Sequence, residues 1–127
     1  MKDNRPTNIA LGSLLAYHFP LPAVTSILHR ISGIAIFVML PFLLCLLDSS
    51  LASEASFEKV KHSLDSWGVK LFLWLTLSGL FYHLIAGVKH LLMDVGIGED
   101  LQSARTGSWI VLGLSGVAAI ALGFWIG

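Results

Sequence analysis

Three long stretches of this chain are almost free of charge, and polar residues collect between them. The apolar runs cover about 23–47, 67–93 and 108–126. Each is roughly as long as the 20 helical residues that cross a hydrocarbon core. The pattern predicts three transmembrane helices in a single all-α membrane domain over 1–127, with an inner-side arm at 1–22. Pro20 and Pro22 separate the arm from the first span, because proline cannot continue a helix through its interior. Pro41 falls inside the first span, where membrane helices tolerate it with a kink. The segment 48–66 is polar but carries Phe57, Val60 and Leu64 at helical spacing, which predicts a short surface helix. The segment 94–107, with Gly96, Gly98 and Glu99-Asp100, reads as a solvated turn. The third run contains Gly113, Ser115, Gly116, Ala118, Ala119 and Gly123 and no ionisable group, so its task is close helix packing.

Composition sharpens this picture. Mean hydropathy is +0.78, with 55% hydrophobic and 13% charged residues, too little charge for a soluble domain of this size. A formal net charge of zero argues against a nucleic-acid partner. The arm lacks the compact apolar core and cleavage site of a signal peptide, so the first span is expected to stay in the membrane. The single cysteine, Cys45, sits inside that span and permits no internal disulfide. Lys2, Arg5, Arg30, Lys89 and Arg105 lie on the side of the N-terminus and second loop; Lys59, Lys61 and Lys70 lie on the other. That bias places the N-terminus and second loop on the inner, cytoplasmic or matrix side, with the C-terminus outside.

Candidate chemistry comes from the polar residues inside the spans. His83 lies well within the second run, and an imidazole in hydrocarbon is costly unless it has a partner. His90 is seven residues on, nearly the same helix face, and Gly79 and Gly87 leave gaps four residues either side of His83. Counted from the ends of the runs, His29, Arg30 and His90 fall within about 10 Å of the inner interface and His83 about 15 Å deep. One deep imidazole above a shallower polar layer suits haem b. His83 would ligate iron, and His29, Arg30 and His90 would face the propionates. His83 and His90 cannot share one iron from the same side of one helix, and His29 is too shallow to be the trans ligand. A sixth ligand would come from another chain. The plainer readings stand beside this one: His83 bonding a neighbouring helix, His90 as an interface residue, Arg30 snorkelling to headgroups, and Ser26 back-bonding to its own helix.

Together, Arg5-Pro6, Ser26-Ile-Leu-His29-Arg30-Ile-Ser32-Gly33 and His83-Leu-Ile-Ala-Gly87-Val-Lys-His90-Leu-Leu-Met-Asp94 resemble the cytochrome b556 family of succinate dehydrogenase, respiratory complex II, in its proteobacterial form. The resemblance spans nearly the whole chain. It implies a succinate:quinone oxidoreductase in which this chain has no catalysis of its own. A flavoprotein subunit and an iron–sulfur subunit deliver electrons to ubiquinone. This chain and a second membrane anchor hold haem b between them, with His83 as one axial ligand and a histidine of the other anchor as the second. Ser26 and Arg30 map onto the quinone-binding positions. Two departures stand out. Arg-Pro-Thr-Asn replaces a Ser-Pro-His extension in the arm, and Lys89 replaces an arginine, keeping charge but losing the planar fork. The alternatives are an anchor of a quinol:fumarate reductase and a haem-free membrane scaffold or assembly subunit.

Overall fold

A computed structural model describes residues 10–127; the Arg5-Pro6 motif lies outside the described residues. Five helices follow one another: α1 Leu11–Ala16, α2 Leu21–Ala52, α3 Glu54–Leu64, α4 Trp67–Asp94 and α5 Leu101–Ile126. No strand occurs among the described residues. Three of the helices, α2, α4 and α5, are long and apolar enough to cross a membrane. The chain is therefore an all-helical, multi-pass membrane protein.

Local chemistry sets the helix limits. Pro20 is the extended residue before α2 and Pro22 sits in its first turn, where a missing N–H is harmless. Helix α2 continues beyond the apolar run to Ala52, with Pro41 inside it. Ser53 then caps α3: its side chain accepts from the Ser56 N–H, and Ser56 Oγ accepts from the Ser53 N–H. This surface helix is the one expected from the spacing of Phe57, Val60 and Leu64. Helix α4 ends in a Schellman turn. The Ile97 N–H bonds the Leu92 carbonyl at 2.9 Å and the Gly96 N–H bonds Met93 at 3.0 Å. Gly96 adopts φ +86°, a conformation that suits glycine. Helix α5 starts at Leu101, seven residues before the third apolar run. The Asp100 side chain accepts from the Ser103 N–H at 3.0 Å, so a polar cap starts the helix ahead of its apolar part. Residues 101–107 are thus helix rather than solvated turn.

Helix α4 is central and packs on both α2 and α5. The interior is small and hydroxylated. Its buried residues are Ala86, Ala104, Val111, Thr25, Thr76 and Ser108. Large apolar side chains point outward, with Phe37 at 76%, Trp125 at 78% and Phe124 at 86% exposure. Water would penalise that arrangement; lipid does not, and in lipid close approach of small residues drives helix association. One polar knot ties all three spans. Thr25 Oγ1 and Ser108 Oγ lie 3.1 Å apart, Lys89 Nζ donates to Ser108 Oγ at 3.0 Å, and Tyr82 Oη donates to the Thr25 carbonyl at 2.7 Å. Towards the other membrane face, Trp74 Nε1 donates to the Ala119 carbonyl at 2.8 Å and lies over Gly123.

Candidate haem-ligand site

The histidines singled out in the spans meet where α2 crosses α4. His29 comes from α2, and His83 and His90 come from one face of α4. The His29 and His83 rings stack, with centroids 4.1 Å apart and planes 9° from parallel. The His90 ring also lies near His29, with centroids 5.1 Å apart and planes tilted by 59°. Gly87 faces His29 and Gly33 faces His83, so the two imidazoles enter one turn apart along the α2–α4 pair and meet through their ring faces. The interhelical contacts set how α2 and α4 slide against each other.

His83 is held from the opposite helix. Its Nδ1 lies 3.1 Å from Ser32 Oγ and 3.1 Å from the His29 carbonyl oxygen. The Ser32 hydroxyl donates to that same carbonyl at 2.8 Å. A carbonyl only accepts, so Nδ1 carries the proton and Nε2 keeps its lone pair. The glycines make room for this arrangement. A Cβ on Gly33 would come within 2.9 Å of His83 Cε1, and one on Gly87 within 3.3 Å of His29 Nε2. A Cβ on Gly79, one turn from His83, would meet nothing within 4 Å. An apolar cavity of about 260 Å³ opens beside Gly79 between α2 and α4, lined also by Ala35, Ile36, Met39, Phe72, Leu75 and Thr76.

These residues fit a haem ligand. An imidazole with Nδ1–H committed to an acceptor and Nε2 free is the usual state of a ligating histidine. The His29 ring lies parallel to His83 and presents a face, not a nitrogen, to it. A bare metal ion fits less well, since no cluster of His, Cys, Asp or Glu side chains among the described residues is arranged to hold one.

Ser26 is half-buried on α2, and Arg30 is exposed one turn further along the same side. Asp94 is exposed at the end of α4, and Cys45 is exposed on α2. Two participants in the site were not singled out from the sequence. Ser32 and Gly33 lie inside the Ser26–Gly33 motif, but nothing in their spacing says that the partner of His83 is the backbone of α2. The Thr25–Ser108 contact joins residues 83 positions apart and leaves no local signal.

An anchor of three spans, with an imidazole cluster between two of them and no soluble domain among its described residues, has the form of a membrane subunit of a respiratory complex. The family model for the succinate dehydrogenase/fumarate reductase transmembrane subunit matches residues 1–122, and the chain belongs to that family. It is 38% identical over 99% of its length, and 99% of the relative's, to the succinate dehydrogenase cytochrome b556 subunit of Coxiella burnetii. It is 31% identical to the cytochrome b556 subunit of Paracoccus denitrificans, covering 94% of this chain and 89% of that one. The cytochrome b560 subunit of Reclinomonas americana is also 31% identical, over 91% and 81% of the two chains.

Proposed function

We propose that this chain is the membrane-anchor cytochrome b subunit of a succinate:quinone oxidoreductase, holding haem b through His83 and contributing Ser26 and Arg30 to the ubiquinone site. The observation that carries this reading is the state of His83: a histidine inside a span, its Nδ1 tied to α2 and its Nε2 left as a donor. Haem b, when bound, supplies one-electron redox capacity within the membrane. The chain's own residues do the rest. His83 would hold the iron through Nε2, and a histidine of a second anchor subunit would hold it from the partner's side. His29 lies against His83 and His90 against His29, and with Arg30 they would supply hydrogen-bond donors and positive charge for the propionates.

Ser26 and Arg30 occupy the first turns of α2, at the end of the bundle that also carries the α4–α5 turn. With the N-terminus and that turn on the cytoplasmic side, this is the level at which an iron–sulfur subunit, itself fed by a flavoprotein, would meet a membrane quinone. A quinone is apolar apart from two carbonyl oxygens, so its pocket needs few polar groups. The Ser26 hydroxyl donates to one carbonyl oxygen. The Arg30 guanidinium supplies a positive field where negative charge develops during reduction. The family description covers both directions of flux; the relatives named above are succinate dehydrogenase subunits, which favours succinate oxidation here.

The test is a reduced-minus-oxidised spectrum of the purified membrane complex. A b-type band present in the parent complex and lost on His83→Ala is the expected outcome. An unchanged band in an assembled His83→Ala complex would remove His83 as the ligand.

A further inference from the structure

We infer that Ser32 and Gly33 are positioning residues for the His83 imidazole, setting its tautomer, ring plane and donor strength from the opposite helix. The inference rests on the reading of His83 as an axial ligand and assigns the residues that prepare it. Ser32 is the pivot. Its hydroxyl hydrogen is committed to the His29 carbonyl at 2.8 Å, so its oxygen can only accept from His83 Nδ1–H at 3.1 Å. The same N–H also faces the His29 carbonyl at 3.1 Å. Two acceptors on one N–H hold the proton on Nδ1 and fix the ring about its Cβ–Cγ bond.

Gly33 sets the distance. The His83 edge lies so close to α2 that a Cβ at position 33 would sit 2.9 Å from Cε1 and 3.9 Å from Nε2. Cε1 is a ring atom of a tethered side chain. It cannot give way without breaking the Nδ1 bonds or turning Nε2 from its direction. Adjacent residues thus perform complementary tasks: a hydroxyl that pulls on Nδ1 and a missing side chain that lets the ring come near enough to be pulled.

The electronic consequence has a definite sign. Acceptors on Nδ1–H push electron density into the ring and make Nε2 a stronger donor. A stronger donor favours the oxidised, more positive iron and lowers the midpoint potential. Ser32→Ala removes one of the two acceptors, so the potential should rise. Ser32→Thr keeps a hydroxyl that can still bond a carbonyl one turn back, so it should return the potential towards the parent value.

The experiment is a potentiometric titration of the b-type band in the whole purified complex, with low-spin haem followed by electron paramagnetic resonance. Succinate oxidation by a soluble acceptor at the flavin serves as the assembly control. The expected result is a higher midpoint in Ser32→Ala, near-parent behaviour in Ser32→Thr, and a reduced low-spin fraction in Gly33→Ala. Haem loss in Ser32→Ala with retention in Ser32→Thr would equally mark a positioning hydroxyl. A midpoint that is unchanged or lower in Ser32→Ala, or haem loss in both position-32 variants, would overturn the role of Ser32. A parent spectrum and occupancy in Gly33→Ala would overturn that of Gly33. His83→Ala in the same series separates the two levels. If the band survives that change, the ligand assignment itself fails; if only the position-32 and position-33 variants behave as parent, the ligand stands and the positioning inference falls.

Discussion

Each polar side chain inside the spans has a geometry that narrows what it can do. His83, the proposed haem ligand, has its Nδ1 tied to α2, whereas His90 sits two turns further along α4 and meets the His29 ring instead. His90→Leu is therefore expected to leave low-spin ligation in place, checked by the spectrum of the assembled complex. Ser26 and Arg30 carry the proposed quinone chemistry. Ser26→Ala and Arg30→Leu should each lower succinate:quinone turnover by on the order of 10²-fold, the usual cost of removing one donor aimed at developing negative charge. Reduction of a soluble acceptor at the flavin should change little. Arg30→Lys should keep part of the activity, since the charge remains and the bidentate fork does not. Parent-level quinone reduction in both assembled variants would return Arg30 to lipid headgroups or haem propionates.

The helices are long because their ends are chemically marked rather than because the apolar runs are long. At the end of α4, Gly96 holds φ +86° while its N–H and that of Ile97 close the turn. Gly96→Ala should cost about 1–2 kcal/mol, the penalty for an L-residue in the left-handed region, seen as a lower melting temperature by circular dichroism in detergent. At the start of α5, hydrogen bonding from Ser103, through its side chain and then its backbone N–H, holds the Asp100 carboxyl below its ordinary range. A depressed folded-state value means that the cap contributes above the unfolded carboxylate pKa and fades as pH falls through the folded one. Melting of Asp100→Ala and the parent should accordingly differ at pH 7 and converge in acid, while Asp100→Asn, which still accepts but does not titrate, should show less of that convergence. Equal pH dependence in the parent and Asp100→Asn would show that the carboxylate adds nothing to the cap.

The whole bundle has more surface to cover than lipid alone would need covered. The His29–His83–His90 cluster lies between only two helices and is half-buried, and the open space at Gly79 adjoins it. A lone chain would leave imidazole nitrogen facing hydrocarbon, which is unfavourable. Expressed alone, it should yield little haem and melt over a broad range in detergent. Expressed with its proposed partners, it should co-purify with a second three-helix anchor, an iron–sulfur subunit and a flavoprotein. A stable, haem-free monomer with native helical packing would count against this assembly.

Hydrophobic length is a local property, so the three spans and the surface helix α3 are readable along the chain. His83, His90, His29, Ser26 and Arg30 are also readable as polar residues placed where lipid makes them expensive. The start of α5 is not, because a cap at Asp100 starts the helix before hydrophobicity does. Register between helices depends on side chains distant in sequence, so the stacking of His29 on His83 is hidden. The same reason hides the Tyr82–Thr25–Ser108–Lys89 knot and the partnership of His83 with Ser32 and the His29 carbonyl. Spacing along one helix says which residues share a face; only tertiary contact decides what that face meets, and here it meets the backbone of α2 at a glycine.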